Sequence, residues 1–248
     1  MKKIFIAILI GVTVISAVSC SASDKDYIST SSELSQASDT ADPSSSEKDS
    51  MIDNLVDVNQ LGDKTKTNII DVLENDSMDL SVNGKLTVTG GITVELNCTL
   101  AKSDNCLYFD LGLGDSHIKT IQNADGRYRV NDKDKTAVLE NINEETSSFS
   151  SKDDKLVKMV LSYISSALGL DDIHFKGTGN EEYNGQQYDF EEYSNSNGAV
   201  KVYFDHSVPQ YIVSTKDSGQ QSVITIHKLS KEPDSKLFII PSDYQITE

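Results

Sequence analysis

The chain is 248 residues long and carries 39 acidic against 22 basic residues, a formal net charge of −17. Its arginines are Arg127 and Arg129 alone, so it lacks the electrostatic footprint of a nucleic-acid binder. This acidity favours solubility, opposes approach to anionic lipid headgroups, and carries no information about fold.

The first residues read Lys2-Lys3, an apolar run from Ile4 to Ile15, then Ser16-Ala17-Val18-Ser19-Cys20. That is the order of an export signal: a positive n-region, a short h-region and a small-residue cleavage zone. The run is shorter than the ~20 apolar residues of a membrane span. With Ser19 directly before Cys20, the segment resembles the lipobox of bacterial lipoproteins, although Ala17 stands where that family more often has Leu. The resemblance implies cleavage after Ser19 and a diacylglyceryl thioether on Cys20. Two acyl chains hold stably because each buried methylene contributes about 0.8 kcal/mol. The expected partner of this end is the membrane. The expected location is the outer face of the bacterial plasma membrane.

Residues 21–50 include 11 serines, with Asp, Thr, Ala and Glu filling most of the rest. Such a stretch cannot bury enough apolar surface to offset its ordering entropy, and reads as a disordered tether with a reach of roughly 30 Å. Residues 51–248 are then one compact domain, long enough to bury about 70% of its unfolded surface.

Within that domain, 51–75 has helical spacing (Ile52, Leu55, Val56, then Ile69, Ile70, Val72, Leu73), with a break expected at Gly62. From Met78 the period becomes two. Apolar residues alternate through Leu80, Val82, Leu86 and Val88, and again through Val94, Leu96, Cys98 and Leu100 after Gly90-Gly91. Further strands are expected at Leu107–Leu113, His117–Gln122, Tyr128–Val130 and Ala137–Leu139. A second helix is expected over 151–169, with Leu156, Val157, Val160, Leu161, Ile164 and Leu168 on its apolar face and Gly169 as its stop. Strands then return at Ile173–Lys176, Gln187–Tyr193, Val200–Asp205, Gln210–Ser214 and Val223–Lys228, joined by short turns such as Asn184-Gly185. The expected fold class is α+β. About ten antiparallel strands form a curled sheet, an incomplete barrel, with both helices covering its concave face.

The inward stripe should comprise Leu80, Val82, Leu86, Val94, Leu96, Leu107, Phe109 and Leu111, opposite Leu156, Val160 and Ile164. These are the candidate ligand-lining residues. Their composition fits a filled core and a core with room for an acyl chain equally well. In a hairpin through Lys102–Asn105, Cys98 falls on the apolar face and Cys106 on the other, which argues against a disulfide between them.

The closing segments Asn184-Gly185-Gln186-Gln187-Tyr188, Val200-Lys201-Val202-Tyr203-Phe204-Asp205, Val208-Pro209 and Asp234-Ser235-Lys236-Leu237-Phe238-Ile239-Ile240-Pro241-Ser242-Asp243-Tyr244 carry a further likeness. With the element order, they resemble the LolA/LolB-like lipoprotein-carrier superfamily. The motif match lies mostly in 183–244. The resemblance implies a half-barrel with a helical lid over an apolar cavity, and relatives that carry acyl chains. The chain departs from the family in having no Trp and in the placement of its two arginines, so no functional residue is carried over. The Ser-rich tether looks Gram-positive, where no outer membrane needs supplying.

No catalytic constellation stands out. His117, His174, His206 and His227 lack metal-ligand spacing. Asp115-Ser116-His117 has the letters of a triad but not its geometry, because a triad is assembled in space. Asn123-Ala124-Asp125-Gly126 echoes a calcium loop but lacks its first and twelfth ligands. Glu181-Glu182 and Glu191-Glu192 read as a solvated acidic face. The leading expectation is a non-enzymatic module, without a cofactor, that binds a lipid or other apolar ligand. The competing one is an interaction module with a closed core that meets another envelope protein.

Overall fold

The computed structural model describes residues 57–87, 91–140, 162, 165, 168, 170 and 172–247. All lie in the compact unit Glu47–Glu248. The signal segment, Cys20, the tether, and Leu156, Val160 and Ile164 fall outside the described residues.

Twelve strands form one sheet. The first meander is β1 (Met78–Thr87), β2 (Thr93–Ser103), β3 (Cys106–Leu113), β4 (Ser116–Asn123), β5 (Gly126–Asn131) and β6 (Thr136–Leu139). The second is β7 (His174–Tyr183), β8 (Gln186–Asn195), β9 (Gly198–Asp205), β10 (Val208–Lys216) and β11 (Gln221–Ser230). The two meanders join where β1 pairs antiparallel with β11, and the sheet stays open, with β7 at one edge. The twelfth strand, β12 (Gln245–Thr247), pairs in parallel with β6 at the other edge.

Two expectations are corrected. The strands number twelve rather than about ten, because β12 is only three residues long and offers no periodicity to read. The molecule is sheet-dominated rather than α+β. Before the first strand, its described helical structure is a 3-10 turn (Val58–Gln60) followed by a short run: α1 (Asp63–Thr65), a π-turn (Lys66–Ile70) and α2 (Asp71–Leu73). Gly62 does divide the two pieces, as its N-cap position before α1 requires. From the second helix only Ser162, Ser165 and Leu168 are described, and all three are helical.

The alternation of β1 and β2 survives intact. Register pairs Val82 with Cys98 and Leu80 with Leu100, so these share the inner face with Leu111 and Phe109 of β3. Cys106 pairs with Ser103 on the opposite face, and both thiols are free. Burial, aided by Asp110, pushes the Cys98 thiol up to about 12, so it is an inert core group.

The C-terminal segment straps the outer face. The 3-10 turn Ser235–Phe238 packs against β3 and β4, where the Asn123 side chain donates to the Phe238 carbonyl at 3.0 Å. Ile240 and Tyr244 then cover Ile121, Tyr128, Val130 and Ala137. The family-like closing motif is therefore a packing device.

The ladder between the meanders tolerates no side chain at Gly84, where a Cβ would stand 2.1 Å from the Val223 carbonyl oxygen. Gly84→Ala should force β1 from β11 and destabilise the fold by about 1–3 kcal/mol. Urea unfolding monitored by circular dichroism measures this, and an unchanged midpoint would contradict the packing described.

Candidate functional site

Strand β8 alternates Tyr188 and Phe190 on the outer face with Asp189, Glu191 and Tyr193 on the inner face. Glu191 is therefore no part of a solvated acidic face; it is 1% exposed, which corrects the sequence reading. Its carboxylate accepts from the backbone amides of Lys64 (2.8 Å) and Thr65 (3.0 Å) and from the Thr65 hydroxyl (2.6 Å). Tyr193 Oη lies 2.8 Å from the same carboxylate and accepts from the Gly62 amide at 3.2 Å. Burial, reinforced by Glu191, holds the Tyr193 phenol above its ordinary value, so it stays a donor.

This arrangement is a helix N-cap delivered from the sheet. The first amides of a helix have no partner within the helix and carry partial positive charge, which a carboxylate satisfies. Gly62 is required beside it, because a Cβ there would stand 2.4 Å from the Glu191 carboxyl carbon. Around this contact, Lys64 Nζ bridges to Asp189 (2.6 Å) and to the His206 carbonyl (3.1 Å). At the other end, Lys102 Nζ donates to the Leu73 carbonyl at 3.3 Å, and Lys231 pairs with Asp71 at 2.6 Å. The helical segment is thus fastened to the sheet at both ends.

Its middle does not fill the space beneath it. A cavity of about 140 Å³ lies between the segment and the sheet. Leu61, Thr65, Ile69, Ile70 and Leu73 form its roof, and Ser165, Leu168, Leu170 and Ile173 one wall. The floor combines Leu80 and Val82 of β1 with residues of the second meander, among them Ile224 and Ile226 of β11 and Val200 and Val202 of β9. The Thr65 and Tyr193 hydroxyls are already engaged with Glu191, so neither is free to bind a guest. An apolar cavity of this size, roughly 150 Å³, stays dry and accepts a benzene-sized guest.

Of the candidate lining residues, the structure brings Leu80 and Val82 to this cavity. Leu86, Leu96, Leu107 and Phe109 are buried in the core cluster beside it, Leu111 packs against that cluster, and Val94 is half-buried. The residues sequence reasoning missed come from the second meander. Its inner stripe (Val200, Val202, Ile212, Ile224, Ile226) was legible as alternation, and only the β1–β11 join places it opposite the helix.

The other motifs resolve into structure. His117 Nε2 faces Asp110 at 2.7 Å rather than Ser116, which pairs with Leu113 at a turn. Asn123 Oδ1 accepts from the Asp125 amide and so closes its own turn.

No family model matches the chain, and no curated protein matches it. Several solved structures are similar. MucB in complex with MucA shares 12% identity at a TM-score of 0.34, over 77% of this chain and 61% of that one. The chain thus spans about three-fifths of that structure. A LolA superfamily protein from Nitrosomonas europaea shares 9% identity at a TM-score of 0.25, over 66% and 90%. A putative outer membrane lipoprotein-sorting protein domain from Vibrio parahaemolyticus shares 9% at 0.22, over 66% and 89%.

Glu191→Ala removes the acceptor from several buried donors and should cost about 3 kcal/mol; Glu191→Gln, which keeps one carbonyl oxygen, should cost less. Equilibrium denaturation of both variants measures the difference, and no loss in either would show that the cap is immaterial. Asp189 adds a pH term. Hydrogen bonds from Lys64 and then Asn180 hold its carboxyl below the ordinary 3.8. Its contribution is complete above that value and is lost as pH falls through the lower folded value. Amide exchange in residues 63–73 should therefore quicken below pH 3.8, less so in Asp189→Asn.

Proposed function

We propose that this protein is a lipid-anchored, non-enzymatic module of the cell envelope. It binds a hydrocarbon chain between the sheet and the helical segment of residues 63–73. The observation that carries this reading is the apolar cavity of about 140 Å³, roofed by a segment fastened at both ends and unfilled in its middle. A core closed for stability alone gains nothing from such a void, because unfilled volume forfeits dispersion contacts.

The chemistry of the lining defines the guest. The roof hydroxyls at Thr65 and Tyr193 are committed to Glu191, and the chain as a whole is strongly acidic. A carboxylate or phosphate would be desolvated there without a partner, so a headgroup stays outside and only hydrocarbon enters. The resting volume suits a short stretch of chain, and a longer acyl group requires neighbouring side chains to yield.

The lipobox-like start supports a location for the protein. On this reading residues 1–19 are removed, Cys20 carries the acyl chains, residues 20–50 tether the domain, and 51–248 form the binding module outside the plasma membrane of a Gram-positive cell. The alternative is an interaction module with a closed core whose outer face meets another envelope protein.

Native mass spectrometry of the full chain carrying Cys20→Ser, purified from a bacterial host without detergent, tests the binding. A solvent-extractable lipid adduct is expected, and Val202→Phe, which fills the cavity, should abolish it while the protein stays folded. A clean mass after incubation with envelope lipids would overturn the proposal. The anchor is tested separately: Cys20→Ser should move the protein from the membrane to the soluble fraction, and continued acylation would refute the assignment.

A further inference from the structure

The roof of the cavity contains a turn of unusual width. Over Lys66–Ile70 the backbone is a π-turn, in which the Asp71 amide reaches back five residues to the Lys66 carbonyl. The turns on either side are regular. The Lys66 amide reaches back four residues to the Gly62 carbonyl at 3.0 Å, and the Glu74 amide four residues to the Ile70 carbonyl at 2.9 Å. The middle of the segment thus stores one residue more than an α-helix needs. Such bulges are rare and stand frequently at functional sites.

The local sequence supports the wide turn. A turn of this width meets the carbonyls of the preceding turn poorly with backbone amides. Here the Thr67 hydroxyl donates to the Asp63 carbonyl at 2.5 Å, and the Asn68 side-chain amide donates to the Lys64 carbonyl at 2.9 Å. Short polar side chains that bond back in this way bend helices. Ile69 and Ile70 follow, and their β-branched side chains weaken the preference for a regular helix. The width also decides what faces the cavity. Thr65 and Ile70 both line it, whereas five positions along a regular helix a side chain has turned about 140° away.

We propose, on the reading that hydrocarbon binds beneath this segment, that the π-turn is the expansion joint of the cavity. Its spare residue lets the roof arch over a chain longer than the resting volume holds. A segment held at both ends rises from the sheet only if it has length in reserve. Glu191 holds the Thr65 amide at 3.0 Å, while Lys231 holds Asp71 at 2.6 Å and Lys102 holds the Leu73 carbonyl at 3.3 Å. A regular helix between these points could rise only by breaking one of them, and release of the first end leaves a buried carboxylate without its donors. Tightening the π-turn instead frees one residue, about 1.5 Å of helix. The middle then lifts while both ends stay fastened.

The test is deletion of the exposed residue Thr67 in the full chain carrying Cys20→Ser. The deletion restores the four-residue spacing and leaves both fastened ends in phase. Binding of benzene, which the resting volume admits, and of monolaurin, which exceeds it, is followed by NMR titration. Benzene should bind parent and deletion within about twofold, whereas monolaurin should bind the deletion about tenfold or more weakly. Amide exchange in the parent chain provides a reading that depends on no variant. With monolaurin bound, exchange should change across residues 66–71, while the Thr65 and Glu74 amides keep their protection. Equal affinity of parent and deletion for monolaurin overturns the expansion joint and leaves the cavity reading standing, as does monolaurin-induced exposure of the Thr65 or Glu74 amide. Failure of the parent chain to bind either guest overturns both.

Discussion

The buried carboxylate of Glu191 is the contact on which the rest of the inner face depends. A carboxylate taken out of water is costly unless every lone pair finds a donor. Here the donors are the first turn of a helix, a threonine hydroxyl and a tyrosine phenol. The helix gains from the same contact, since its leading amides have no partner of their own. Neither group is stable in its place without the other, so the contact fixes where the helical segment sits on the sheet. A purely apolar contact would leave the segment free to slide.

That fixation explains how a cavity persists. An unfastened amphipathic segment would settle until the void closed, because close packing is the lower-energy state. Glu191 and Lys64 hold one end over β8, and Lys102 and Lys231 hold the other over β2 and beyond β11. The apolar side chains between these points span the curl of the sheet without filling it. On either side the packing is complete. Leu86, Leu100, Leu107 and Phe109 are wholly buried in one cluster, and Val200 and Phe204 in the other.

The two faces divide the work of the strands. The inner face holds the aliphatic residues and one buried carboxylate. The outer face holds the cluster of Tyr188, Tyr203 and Val213 and the C-terminal strap. Alternation makes this division possible, since each strand serves both faces at once. It also explains why β8 misleads when read alone. Tyr188 and Phe190 on one face and Glu191 and Tyr193 on the other leave no plainly apolar stripe, and the two glutamates side by side look solvated.

Much was legible from local pattern. The strands of both meanders, the break at Gly62, the turn at Asn184-Gly185 and the opposite faces of Cys98 and Cys106 all follow from period, turn chemistry and parity, which depend on near neighbours. The export signal and Cys20 are likewise read from the sequence, and stand as expectations from it. Only the tertiary structure decided which stripes share a cavity. Leu80 and Val82 meet Val202 and Ile224 because β1 pairs with β11, a contact across more than half the chain that no local pattern encodes. The same holds for Glu191, whose burial depends on a helix 126 residues earlier in sequence. A residue type sets what a side chain needs, and the fold alone decides whether a partner arrives to meet it.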